Sequence, residues 1–243
     1  FVSIVVLARL LTPSEIGIYS VAAAVVILSS MIRDFGVAEY LIQEKELTKE
    51  AIQAAISVQL IVSWTLAAAL FLGGDALARF YEEPGVAVVI RVQCLNLVMI
   101  PFGAVTMAYF RRELHYRPIF IVGIVSTIVS AVTAISLALL DYGYMSLAWA
   151  SVAGVFTTVI LANALRPAAV PLLPSLRGFR AGFSFGTSVS AIYIVDEFVK
   201  HAPSLAIGRS ISMESVGFFS RAAGSIDLFG RGIGSAATRI ALP

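Results

Sequence analysis

The chain has 243 residues, of which 59% are hydrophobic and 13% charged, with a mean hydropathy of +0.92. Soluble domains carry roughly 45–50% apolar and 25% charged residues, so this chain has too little polar surface to cover a water-exposed globule, and most of it is expected to face lipid or other spans. A net charge of +2 is too small for a nucleic-acid partner, and a lone cysteine, Cys94, excludes a disulfide framework or a cysteine-cluster metal site.

Apolar segments divided by polar or Pro/Gly punctuation predict spans at 1–11, 16–33, 51–72, 86–110, 118–140, 143–165, 181–208 and 214 to about 237. Several reach the roughly 20 residues that a transmembrane helix needs. The opening run would cover roughly 16 Å, about half of a hydrocarbon core, so the chain reads as a fragment truncated at both ends. Helices are the expected form, because backbone groups in lipid must be satisfied within the segment and nothing alternates like a barrel strand. The fold class is therefore an all-α polytopic membrane protein.

The connections alternate in charge. One side carries Arg33, Lys45, Lys49, Arg111, Arg112, Arg117, Arg166, Arg177 and Arg180, and the other only Arg9, Arg79 and Arg209. The positive-inside bias makes the first side cytoplasmic. The connection at 166–180, with Pro167, Pro171, Pro174 and Gly178, reads as a cytoplasmic linker. It divides an N-terminal transmembrane lobe, 1–165, from the start of a C-terminal lobe, 181–243.

One stretch occurs twice. Residues 7–23, LARLLTPSEIGIYSVAA, return at 207–223 as IGRSISMESVGFFSRAA. A constant offset of 200 places Arg9 on Arg209, Gly17 on Gly217, Ser20 on Ser220, Ala22 on Ala222 and Ala23 on Ala223. Both copies read as a helix ending near an arginine, a polar turn, a glycine and a second helix. Internal duplication is the indicated reading. An even number of spans between the copies gives them one orientation, a parallel repeat about an axis along the membrane normal.

The seventh span holds the least expected residues. Ser190, Tyr193, Glu197, Lys200 and His201 share a helix face, and Asp196 stands beside them. Ionisable groups at span centres normally face protein or water. The stripe therefore lines a hydrated cavity, glues helices as ion pairs (Glu197 with His201, Asp196 with Lys200), or lies at the interface. In the cavity reading, Lys200 holds an anion and Glu197 or His201 exchanges protons. Arg91, early in the fourth span, either snorkels outward or faces the cavity. Arg9 and Arg209, at matched helix ends, are the best basic candidates for phosphate, or else cap their helices. Arg221 is unmatched in the first copy, where Val21 stands, and is a further cavity candidate. Gly123, Ser126, Ser130 and Thr133 share a face, as do Ser151, Gly154 and Thr158; helix packing is preferred there to sugar binding.

His115 and His201 are too far apart for a metal motif, and no catalytic elbow or Gly-Lys-Ser/Thr phosphate loop is present. Gly230, Gly232 and Gly234 fail the dinucleotide pattern. The expectation is a non-enzyme with no cofactor and no metal site.

Four separated stretches carry a family resemblance: LARLLTPSEIGIYS at the start, RDFGVAEYLIQEKELTKE at 33–50, FRRELHYRP at 110–118 and IGRSISMESVGFFSRA at 207–222. In this order they resemble the polysaccharide exporters of the multidrug/oligosaccharidyl-lipid/polysaccharide flippase superfamily, nearest to the O-antigen and exopolysaccharide flippases. One departure is visible: the family often has an Asp about four residues before the Ile-Gly-Arg, and here Pro203 stands there.

The resemblance implies two six-helix lobes around a central cavity, in the bacterial inner membrane among membrane lipids. It implies a flippase for an undecaprenyl-diphosphate-linked oligosaccharide, working beside a polysaccharide polymerase and other assembly proteins. A diphosphate needs cationic partners in that cavity, for which Arg9, Arg91, Lys200, Arg209 and Arg221 are available. Two other readings stay open: a multidrug or cation antiporter of the same superfamily, and a membrane-embedded polysaccharide polymerase or ligase. The short outer connections count against the enzyme.

Overall fold

The computed structural model describes residues 2–33, 48–167, 170–171 and 198–226. All regular structure among them is helical: α1 (Val2–Leu10), α2 (Pro13–Arg33), α3 (Lys49–Tyr81), α4 (Pro84–Met99), α5 (Pro101–Arg112), α6 (Tyr116–Leu139), α7 (Tyr144–Ala164), α8 (198–210) and α9 (213–226). Four of these helices are long and apolar enough to cross a membrane, and five spans result when the bent pair α4–α5 is taken as one. The chain is an all-α, multi-pass membrane protein.

Two boundaries differ from the sequence expectation. The third span continues beyond residue 72 to Tyr81, so the connection expected at 73–85 shrinks to Glu82 and Glu83. Gly73 and Gly74 do not end the helix. At Gly74 a Cβ would sit in ordinary contact with Ala87 of α4, at 3.8 Å. The fourth span is broken rather than continuous, with α4 and α5 meeting at 53°. Pro101 is the cause: it lacks the N–H that would bond to the Leu97 carbonyl, and its ring crowds the preceding turn. Trp64 Nε1 reaches the Val98 carbonyl at 3.4 Å, and Asn163 Nδ2 the Phe102 carbonyl at 2.9 Å. Irregular backbone at membrane depth is tolerated where such groups, or water, meet it.

The core gathers where α2, α3, α4 and α7 meet α8 and α9, around Val21, Val86, Val89, Ile90, Leu97, Ala148 and Val216. Small residues set the helix spacing. A Cβ on Gly154 of α7 would lie 3.2 Å from Ser130 of α6, and one on Gly103 of α5 would lie 3.2 Å from the Val159 backbone. The α6 and α7 small-residue faces are therefore packing surfaces, and their hydroxyls mostly bond to their own helix, as Thr158 does to the Gly154 carbonyl at 2.9 Å. Large apolar side chains point outward instead, Phe120, Ile124, Ile128 and Val132 of α6 among them. In water such a surface would be a liability; in lipid it is the expected exterior.

Candidate functional site

The two copies of the repeated stretch fold into the same helix–turn–helix, with matching backbone bonds across the turn. Leu11 N–H donates to the Leu7 carbonyl and Ile211 N–H to the Ile207 carbonyl, both at 2.9 Å. Ile16 N–H meets the Thr12 carbonyl and Val216 N–H the Ser212 carbonyl, both at 3.2 Å. Each second helix starts at a hydroxyl cap. Thr12 Oγ1 accepts from Glu15 N–H at 3.3 Å, while Glu15 Oε2 accepts from Thr12 N–H at 2.7 Å, a capping box. Ser212 Oγ accepts from Ser215 N–H at 3.1 Å.

These copies touch reciprocally. Gly17 lies so close to Met213 that a Cβ would overlap the Met213 carbonyl, and Gly217 stands in the same relation to the Pro13 carbonyl. Residues 13 and 213 are matched by the repeat, as are 17 and 217. A contact in which each element presents the same patch to the other is the signature of two-fold symmetry. The seam continues at Gly208 of α8, where a Cβ would come within 2.8 Å of Val21. Symmetry fails at Arg221, opposite Val21 in the repeat: its Nη2 donates to the Leu11 carbonyl at 2.7 Å.

The turn between α3 and α4 closes over this seam. The Glu83 N–H returns to the Ala78 carbonyl at 3.0 Å, which leaves Glu82 left-handed at φ 56°, a position that favours glycine. Glu82 Oε1 accepts from Arg209 Nη1 at 3.0 Å, and the Arg209 guanidinium lies 5.4 Å from the Phe80 ring centre. On the first copy's flank, Glu15 lies against Gly143, the left-handed residue before α7 (φ 52°), where a Cβ would strike its carboxylate. The turns 11–12, 82–83, 141–143 and 211–212 thus share one end of the molecule. Arg33, Lys49, Arg111, Arg112, Arg117 and Arg166 mark the opposite helix ends.

The expected site residues are distributed as follows. Arg209 and Arg221 sit at the seam, each with a partner. Arg9 is exposed and makes no hydrogen bond or ion pair with the described residues. Arg91 is held within the first set of helices: Nη2 bonds to Asp75 Oδ2 at 2.7 Å, and the guanidinium lies 5.8 Å from the Phe71 ring centre. It meets α3 nine residues, about 14 Å, from where Arg209 does. Lys200 is exposed and His201 half-buried on α8, and both have partners. Ser190, Tyr193, Asp196 and Glu197 lie outside the described residues, as does most of 166–180. Among the described residues, no group of three or more His, Cys, Asp or Glu side chains is arranged to hold a metal.

Sequence reasoning missed Glu82, Phe80 and the reciprocal packing of the two glycines. An acid where glycine is preferred, between a third and a fourth span, was the available signal for Glu82. The glycines were noticed as matched, yet nothing local says that matched residues touch.

Comparisons with known proteins bear on this architecture. Residues 6–243 match the family described as "Polysaccharide biosynthesis protein". The chain is similar to the succinoglycan biosynthesis transport protein ExoT of Rhizobium meliloti (strain 1021), 27% identical over 228 residues that cover 91% of this chain and 45% of that protein. It is also similar to the lipopolysaccharide biosynthesis protein WzxC of Escherichia coli (strain K12), 25% identical over 91% of this chain and 45% of the relative. A third relative is the teichuronic acid biosynthesis protein TuaB of Bacillus subtilis (strain 168), 22% identical over 100% of this chain and 50% of the relative. The chain thus spans about half the length of the curated relatives it matches. No solved structure matches it. With a family match running over nearly its whole length and helices fit to span a bilayer, this multi-pass membrane chain belongs to the polysaccharide biosynthesis protein family.

Proposed function

We propose that the protein to which this chain belongs flips an undecaprenyl-diphosphate-linked oligosaccharide across the bacterial inner membrane, for surface polysaccharide assembly, and that it is not an enzyme. Two lobes, 1–165 and the one that begins at 181, joined by a cytoplasmic linker at 166–180, rock against each other to give alternating access. The observation that carries this reading is the reciprocal seam of Gly17 and Gly217. Matched elements meet at one end of the molecule, each glycine against the start of the other's helix, beside a buried apolar cluster that includes Val21, Met213 and Val216. The charge bias supports an outer position for that end, and on this reading the arrangement is the one closed to the outside. Relatives named for succinoglycan transport and for lipopolysaccharide and teichuronic acid biosynthesis support a glycan substrate over a drug.

In this reading the anionic diphosphate meets cations as the lobes exchange positions. Arg9, which has no partner among the described residues, and Lys200 are the first to meet it, with Arg209 and Arg221 released as the seam parts. Arg91 contributes only when Asp75 yields it. Ser190 and Tyr193 face the sugar, and Asp196, Glu197 and His201 couple transport to protons. Deleting the gene in its host tests the assignment. Lipid-linked oligosaccharide accumulating on the cytoplasmic face is the expected result. Single repeat units accumulating on the outer face would mean that flipping persists and that polymerisation or ligation has failed, which overturns the reading.

A further inference from the structure

A run of neutral polar side chains passes through the interior between α2, α4 and α7. Gln93 and Asn96, one helical turn apart on α4, are only 4% and 5% exposed. Asn96 Nδ2 donates to Ser151 Oγ of α7 at 2.9 Å. The Tyr19 side chain of α2 lies near both Ser151 and Gln93. Two buried atoms at the ends of this run have no partner: Gln93 Nε2, a donor, and Asn96 Oδ1, an acceptor. Residues three apart on a helix share a face, so the unmet donor and the unmet acceptor belong to one face of α4. Buried polar groups are nearly always satisfied, and each exception calls for a physical explanation.

The same helix carries a second irregularity. The fourth span breaks one turn beyond Asn96, at Pro101, where the Leu97 carbonyl has lost its helical donor. At membrane depth such a break is stable only against protein or water. The chemistry of the gap selects among occupants. No carboxylate or guanidinium belongs to the run, so it supplies no charge to hold an ion. Water both accepts and donates, and interior waters typically make about three hydrogen bonds to otherwise unsatisfied groups.

We infer that the interior between α2, α4 and α7 is a hydration site, in which a bound water accepts from Gln93 Nε2 and donates to Asn96 Oδ1 beside the Tyr19 and Ser151 hydroxyls. The second copy does not offer the same group, because the residue matched to Tyr19 is Phe219. The site thus belongs to the first copy alone, and it wets the span that bends.

Radiolytic hydroxyl footprinting of the protein as its host encodes it, reconstituted in vesicles, tests this, since side chains beside bound water oxidise although they are buried. Because Tyr19 is partly buried, its own rate is the reference: Asn96→Leu and the milder Ser151→Ala are each expected to lower Tyr19 oxidation severalfold while leaving Phe110 unchanged. A Tyr19 rate that neither variant lowers would overturn the inference. A thermal-shift series in sodium and choline chloride separates the remaining occupant. A sodium-dependent rise in Tm that Tyr19→Phe abolishes would put a cation there instead; equal Tm in both salts is expected.

Discussion

Gly17 and Gly217 each press against the first residue of the other's helix, Met213 and Pro13, so one small contact is made twice by symmetry. Both positions lack room for a single methyl group. Gly17→Ala and Gly217→Ala are expected to open the seam, because forcing a methylene into a packed contact costs about 1–3 kcal/mol. Val216→Cys, in a background with Cys94 replaced, gives the readout, since Val216 is fully buried beside the seam. An impermeant thiol reagent should label it faster from outside in either alanine variant. Unchanged labelling, with wild-type thermal stability, would show that the contact does not hold that end closed.

The Arg209–Glu82 pair crosses 127 positions of sequence and joins two groups that are largely in water. Exposed pairs contribute about 0.2–1 kcal/mol, so Glu82→Gln is expected to shift the closed–open balance by at most about fivefold. The charge-swapped double variant, Glu82→Arg with Arg209→Glu, separates two roles. Recovery of export would show that Arg209 serves only as a tie. Failure of export with normal membrane abundance and a closed seam, the expected result, leaves Arg209 as a contact for the diphosphate.

Arg91 and Asp75 form the other outer pair of α3, and they offer a cleaner comparison because both lie within one set of helices. If Arg91 only pins α4 to α3, Arg91→Ala and Asp75→Ala should have equal and small effects on export. If it meets substrate, Asp75→Ala should leave export intact or raise it, and Arg91→Ala should lower it. Export measured at matched membrane abundance decides between them.

Much of this fold was legible because membrane spans are written as long apolar runs and the repeat needs only residue matching. The turn at 11–12 and the turn at 211–212 are alike to within a hydrogen bond, as the matched Arg, Gly and Ser pairs indicated. The end of α3 was not legible from hydropathy. Asp75, Arg79 and Phe80 extend the helix past the hydrophobic run into a polar layer, where the backbone bonds matter more than side-chain transfer. The break at Pro101 was hidden because the apolar run continues through it. The partners of Arg91, Arg209 and Arg221 were out of reach for another reason: each depends on which helices become neighbours. Tyr19, Gln93 and Asn96 drew no notice, although two amides one turn apart in an apolar span were the visible signal.

The position of the seam along α2 sets how motion would be distributed. Gly17 is near one end of that helix, and Arg33 closes the other, sixteen residues on. At 1.5 Å per residue the arm is about 24 Å. A tilt of about 20° at the glycine contact, no more than the ordinary inclination of a membrane helix, would carry Arg33 about 8 Å sideways. On the proposed function the molecule would be geared: a glycine-lined fulcrum at one face would turn small angular play into a stroke about as wide as a sugar ring at the other.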